Sequence, residues 1–338
     1  MKAIGATQHL PVTDPKCLVE FECEKPTPGP QDVLVKIKAV GINPVDTKIR
    51  ASLGESPNES PRILGWDASG IIEELGSEVE HFAVGDEVFY AGDVTRPGSN
   101  AEYQAVDSRI IAHKPKSWSF VEAAAVPLVG LTAWELLLER MCVHALDDET
   151  DKAVLIINGA GGVGSAMIPI AKMLGLEVVA TASRPETSSW CKTLGADHII
   201  NHREPLRPQA EALGFDSFPY IANLYDTDHY WDTTADLIAP LGSIGLIVGP
   251  TKNLNLGDPL KSKCAHICWE FMFARSMHQT PDMHRQGEIL SDIADLCEQG
   301  VFPKIHTRTL DSFTPESMIE AHATMEAGTA HGKLVVEL

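Results

Sequence analysis

Asn158-Gly159-Ala160-Gly161-Gly162-Val163-Gly164 is the stretch on which the fold turns. Gly159, Gly161 and Gly164 fall on the spacing G-x-G-x-x-G, which alone is a weak signal. Here it directly follows the apolar run Ala153–Ile157, opens a helical run over 165–174, and is followed by a second strand at Glu177–Thr181. In that setting the glycines predict a strand–turn–helix that cradles the pyrophosphate of a dinucleotide. Gly159 permits the tight turn, Gly161 lets the backbone approach the pyrophosphate, and Gly164 lets helix and strand pack closely. Gly162 and Val163 open the helix, whose N-terminal N–H groups favour an anion.

Working outward, helix and strand alternate: a helix at 185–194, strands at 198–201 and 220–223, a helix at 230–237 and a strand at 242–248. Such alternation predicts right-handed crossovers and a mostly parallel, doubly wound sheet. Toward the N-terminus the texture changes. Short strands are expected at 2–5, 33–40, 71–75, 87–91, 103–106 and 110–113, separated by turns at Gly76 and Gly85-Asp86. This is the pattern of a barrel-like β domain. Ser119 with Glu122 has capping-box spacing, and a helix is expected over 131–142. The tail offers helices at 287–299 and 315–326 and a last apolar strand at 334–338, whose sheet the sequence does not specify.

The end of the second strand of the alternating region bears on the cofactor. A site for NAD usually places Asp or Glu there, on the ribose hydroxyls. The chain reads Thr181-Ala182-Ser183-Arg184. Arg184 offers a planar donor fork to a 2′-phosphate, and Thr181 and Ser183 add hydroxyls, so NADPH is favoured. Glu186, near enough to bend back, is the opposing case.

Composition narrows the rest. The 338 residues suffice for two domains, and 44% hydrophobic with 22% charged residues reads as globular. Lys plus Arg number 27 against 47 Asp plus Glu, a formal charge of −20. That balance disfavours nucleic acid and anionic membrane surfaces as partners, although one local pocket can oppose it. No apolar run reaches the roughly 18 residues of a membrane span. The seven cysteines are scattered and no signal peptide is evident, so a reduced, cytoplasmic setting is expected.

Further segments carry a resemblance. Gly41-Ile42-Asn43-Pro44-Val45-Asp46-Thr47-Lys48, Leu64-Gly65-Trp66-Asp67-Ala68-Ser69-Gly70, Val84-Gly85-Asp86-Glu87-Val88, Gly130-Leu131-Thr132-Ala133-Trp134, Leu194-Gly195-Ala196-Asp197 and His331-Gly332-Lys333-Leu334-Val335 accompany the glycine motif. With them the chain resembles, over essentially its whole length, the medium-chain dehydrogenase/reductase superfamily. It looks most like the zinc-independent quinone oxidoreductase branch, in a subgroup often labelled zinc-type alcohol dehydrogenase-like. The resemblance implies an α/β two-domain fold: a GroES-like β-barrel domain over 1–127 and 300–338, and a Rossmann domain with a doubly wound parallel sheet over 128–299. It also implies an active cleft between the domains. It further implies a homodimer, or a homotetramer, formed through an edge strand in the region 254–273.

The zinc members of the superfamily take ligands from a Cys in the first loop and from the His of a Gly–His–Glu segment. Here those places read Asn43-Pro44-Val45-Asp46 and Trp66, and an indole nitrogen is only a donor. The stretch 90–102, which matches the structural zinc lobe, holds no cysteine. Cys264 and Cys268, four apart, read as small apolar side chains. No metal is expected.

Without a metal to hold an alkoxide, an activated acceptor is the tractable substrate: a quinone or conjugated carbonyl that takes hydride from the nicotinamide. The expected function is NADPH-dependent, metal-independent reduction of such acceptors. Reduction of 2-alkenal or enoyl double bonds, and an NADPH-binding sensor or structural protein with weak turnover, are the alternatives. The resemblance puts Asn43 near nicotinamide and substrate, Thr132 near the nicotinamide and Lys333 near the cofactor. Asp67 could orient a donor such as Lys48 or Arg50. Trp66 and Tyr90 would form acceptor walls, with Tyr90 a candidate proton donor. Trp269, Met272 and Phe273 would add surface from the second domain. Gly249 follows a strand end on the ligand side of an open sheet.

Overall fold

The computed structural model describes residues 1–143 and 152–338, which cluster into two compact units. The first comprises 1–131, 273–300 and 304–338, and the second 132–272 and 301–303.

The first unit is built on a seven-stranded sheet. Its strands run His306–Leu310, Lys333–Glu337, Asp32–Ile42, Asp67–Leu75, Glu87–Tyr90 and Ile111–His113, with Tyr103–Asp107 paired separately to Asp32–Ile42. A smaller antiparallel sheet joins Val19–Glu22, Lys2–Ala6 and Arg62–Ile63. Along the central strand, Val35, Ile37 and Ala39 are buried while Lys36 is exposed, as alternation predicts. At both ends the alternation fails, with Leu34 buried at the start and Val40 and Ile42 at the finish, and the short helix Phe120–Ala124 packs against this strand. The C-terminal strand lies antiparallel to it, with Leu334 opposite Ile42 and Val335 opposite Gly41. That register puts Lys333 beside the end of the central strand.

The second unit holds a six-stranded, wholly parallel sheet in the order His198–Ile200, Glu177–Thr181, Ala153–Ile157, Phe218–Asn223, Ile238–Leu246, His266–Trp269. This is the doubly wound order, with the strand before the glycines near the middle and the chain reversing direction across the sheet beside it. Every residue of Ala153–Ile157 is buried, as a strand covered on both faces requires. Leu155, Ile157, Val179, Phe218, Ile221, Trp231, Leu237 and Ile244 belong to one continuous core.

Three expectations need correction. The helix placed at 131–142 begins at Pro127, runs to Trp134, and continues as a π-helical segment over Glu135–Arg140. Proline is tolerated in a first helical turn. Gly130 does not stop the helix; a Cβ there would lie 3.0 Å from Ile293 Cδ1, so the glycine permits a close helix approach. The boundary at 299 is also displaced. The helix Arg285–Glu298 packs against Ile111–His113 and the 3-10 turn Ser108–Ile110, within the first unit. Last, the segment after Asn43, which the resemblance matches to a family loop, is a helix over Pro44–Ala51.

Candidate functional site

The glycine turn is shaped by contacts that leave no room for side chains. A Cβ on Gly159 would lie 2.7 Å from Ala180 Cβ, and one on Gly161 2.6 Å from Asn158 Nδ2. At Gly164 it would sit 2.5 Å from the carbonyl oxygens of both Asn158 and Gly159. The turn is tied to the next strand, for Asn158 N–H donates to Thr181 Oγ1 at 2.9 Å and Gly159 N–H to the Thr181 carbonyl at 3.1 Å. Asn158 pays a local strain for this, with φ at +68°. Gly161 is the N-cap of the helix Gly162–Met173 and no side chain caps it. Gly161, Gly162 and Val163 are half-buried, so the first-turn N–H groups are open to an anion. These residues fit a dinucleotide pyrophosphate.

Thr181 departs from expectation. It is buried, and its hydroxyl accepts the Asn158 N–H, so it shapes the turn instead of reaching a phosphate. Ser183 and Arg184 are half-buried at the strand's end. Arg184 Nε lies 3.0 Å from Glu186 Oε1. That contact joins the two groups the sequence set in opposition, and as a half-exposed pair it is easily exchanged for another anion. Sequence reading missed the neighbouring strand end, where Asn201-His202-Arg203 follows His198–Ile200. Burial, with the positive charges of Arg203 and Arg184, holds the His202 imidazole below its usual range. Both strand ends therefore bring cationic groups to the ligand side of the sheet. Gly249 is exposed and a Cβ there would meet nothing within 4 Å, so no steric demand calls for glycine. Thr132 is buried in the helix Pro127–Trp134.

In the first unit the structure gathers Asn43, Asp67 and Lys333, which lie far apart in sequence. Lys333 Nζ donates to Asp67 Oδ2 at 2.9 Å, Asn43 Oδ1 at 2.5 Å and the Ile42 carbonyl at 3.0 Å. Asn43 Nδ2 donates to Asp67 Oδ2 at 2.8 Å, and Leu128 N–H donates to Asp67 Oδ1 at 2.6 Å. All three side chains are buried. An ammonium has three protons, so Lys333 is fully used inside the protein, on Asp67, Asn43 and Ile42. Asn43 likewise spends its side chain on the cluster. Asp67 is paired with Lys333 rather than with Lys48, which is exposed, or Arg50, which bonds Glu326 and the Leu10 carbonyl. Asp46, overlooked in the sequence, accepts the Asn43 N–H at 2.8 Å through Oδ2. Its signal was present: it stands three residues after Asn43, at capping-box spacing.

Trp66 and Tyr90 lie in the same unit, both fully buried. Trp66 Nε1 donates to the Asp93 carbonyl at 2.9 Å, and its ring meets Phe273 edge-on at 6.1 Å. Tyr90 stands opposite Ala68, and its hydroxyl has no partner among the described residues. Burial pushes that phenol far above its ordinary range, which makes it a poor proton donor. Met272 is buried, whereas Trp269 is 46% exposed on the edge strand His266–Trp269.

Zinc does not fit these residues. The indole of Trp66 donates and has no lone pair to give, while both oxygens of Asp67 are taken by internal donors. Among the described residues no three His, Cys, Asp or Glu side chains are grouped to hold a metal ion.

Two family models match the chain, the alcohol dehydrogenase GroES-like domain over residues 29–116 and the zinc-binding dehydrogenase family over 194–336. A zinc-type alcohol dehydrogenase-like protein of Staphylococcus aureus strain Mu50 is 42% identical, covering 100% of both chains. A mitochondrial NAD(P)H oxidoreductase of Danio rerio, RTN4IP1, is 30% identical over 91% of this chain and 84% of its own. The quinone oxidoreductase of Escherichia coli, solved with NADPH, superposes with a TM-score of 0.83 at 25% identity, covering 100% of each chain. With this fold, this glycine turn and relatives of this identity along its full length, the chain belongs to the medium-chain dehydrogenase/reductase superfamily and is an oxidoreductase.

Proposed function

We propose that the protein reduces quinones or other conjugated carbonyls with NADPH and without a metal. The observation that carries this reading is Trp66, a buried donor where the family's metal-dependent members need a ligand. A carbonyl whose charge spreads over a conjugated system tolerates that loss; a simple alkoxide does not. When bound, NADPH supplies hydride from its nicotinamide ring. The chain's own residues do the rest. The N–H groups opening the helix Gly162–Met173 hold the pyrophosphate. Arg184 releases Glu186 and, with Ser183, His202 and Arg203, receives the 2′-phosphate. Asn43 is the residue that the family resemblance sets near the nicotinamide.

The test is NADPH consumption against ortho-quinones, para-quinones and enones, with enzyme treated with a strong chelator and assayed for zinc. Turnover is expected to survive chelation. Arg184→Ala is expected to narrow the preference for NADPH over NADH by about tenfold or more, the worth of one charge-assisted contact. Activity that vanished on stripping and returned with zinc would sink the metal-free reading.

A homodimer through the edge strand His266–Trp269 accords with the same family. No strand lies outside it among the described residues, Ile267 and Trp269 stand exposed on it, and Phe271 stands exposed just beyond its end. An open apolar edge of this kind favours association. Trp269→Glu is expected to yield monomers in sedimentation velocity; a persistent dimer would place the interface elsewhere. The seven cysteines are unpaired, which suits a reducing cytoplasm, and no helix among the described residues is long and apolar enough to cross a membrane.

A further inference from the structure

We propose that Asp46 is a positioning residue for the reductase reaction: its carboxyl proton keeps the Asn43–Asp67–Lys333 cluster neutral, and loss of that proton loosens the hold of Lys333 on Asn43. The proposal rests on the reductase reading, in which Asn43 borders the nicotinamide. Its geometry stands independently.

Asp46 is completely buried in the helix Pro44–Ala51. Its Oδ2 takes one backbone N–H, from Asn43, and its Oδ1 has no partner among the described residues. The nearby ammonium is that of Lys333, and its three protons go to Asp67, Asn43 and Ile42. Two buried carboxylates therefore face one cation that bonds only one of them. Burying a second, uncompensated negative charge is costly, so Asp46 carries the proton. The other elements packed near it do not relieve this. The strand Asp67–Leu75 contributes Asp67, a like charge, and Lys333–Glu337 contributes the committed Lys333. The helix Pro315–Glu326 brings His322 and Glu326, and Glu326 is bonded to Arg50 on the far part of the helix that carries Asp46. Burial pushes the Asp46 carboxyl up to about 7, against the pull of the Asn43 N–H and of Lys333.

Ionisation of Asp46 sets two carboxylates competing for the Lys333 ammonium. The contact between Lys333 and Asn43 Oδ1 is then weakened, and with it the placement of Asn43 at the start of its helix. The expected consequence is a fall in kcat/KM as pH rises through neutrality.

Asp46→Asn separates these statements, because the amide oxygen can still accept the Asn43 N–H but the side chain cannot titrate. The unfolded chain loses this proton near pH 4 and the folded chain near 7, so its stabilising effect is full below about 4 and lost as pH rises through 7. The melting temperature of D46N minus that of the wild type should therefore climb by several degrees between pH 4 and 7 and level off above. A protonated-carboxyl stretch in the infrared spectrum at pH 6 should disappear in the variant. The wild-type kcat/KM should fall about tenfold from pH 6 to 8, and that of D46N should not. A pH-independent difference in melting temperature, with no infrared band lost, would show an ionised Asp46 and overturn the proposal while leaving the reductase reading intact. Titration without any difference between the two kinetic profiles would overturn the positioning role. Absence of turnover with every acceptor would remove the reductase reading and this role with it, whatever the spectra show.

Discussion

Gly161→Glu is expected to weaken NADPH binding at least about a hundredfold, close to 3 kcal/mol, while the protein stays folded. The new Cβ would come within 2.6 Å of Asn158 Nδ2, the end of a side chain that can move aside. The carboxylate beyond it would occupy the space in front of the helix N-terminus. There it would satisfy the open N–H groups itself and repel the pyrophosphate, so attraction and access are lost together. Gly164 is the instructive contrast. A Cβ there would sit 2.5 Å from two backbone carbonyl oxygens, Asn158 and Gly159, which cannot move without opening the strand–helix packing. Substitution at Gly164 thus tests the fold, and at Gly161 the ligand. Fluorescence titration with NADPH beside a melting curve reads the difference. Unchanged affinity in a folded G161E protein would mean that no pyrophosphate lies against this turn.

The glycine turn was legible because its causes are local. A continuous apolar strand, a turn with no room for side chains and a helix opening follow one another within a dozen residues, and the alternation after them specifies a parallel sheet. The helix Pro44–Ala51 was hidden for a local reason as well. It is polar, and the face it buries carries Asp46, Thr47 and Arg50 rather than apolar side chains, although Asn43 before Pro44 and Asp46 three residues on are start signals. The resemblance set an edge strand only somewhere in 254–273, and the bounds of His266–Trp269 were not legible because three of its four residues are exposed, so burial leaves no alternation to read. The role of Lys333 was beyond any local reading. Its partners Asp67 and Asn43 lie 266 and 290 residues away, and only the register of the last strand against the central one brings them together. Thr181 shows the opposite limit: a hydroxyl at the right position in sequence points into the turn rather than toward a ligand.

Lys333→Met is expected to cost the first unit about 3–5 kcal/mol, the usual penalty for removing one partner of a buried ion pair. Methionine replaces the stem of lysine closely in size, so the loss is electrostatic rather than a cavity. Asp67 would remain buried with its charge, held by Asn43 Nδ2 and the Leu128 N–H but without a counter-ion. Asn43 Oδ1 and the Ile42 carbonyl would each lose a donor. Against a typical total stability of about 5–15 kcal/mol, such a loss consumes a large share. The companion variant decides the cause. Asp67→Asn in the K333M background removes the stranded charge while keeping a side chain of the same shape that still accepts the Leu128 N–H, so the double variant should be more stable than K333M alone. If the charge pair is what Lys333 supplies, denaturant unfolding of the two single variants and the double will show a coupling of a few kcal/mol. Additive losses would mean that Lys333 matters through packing, and that Asp67 finds its compensation in the backbone N–H groups around it.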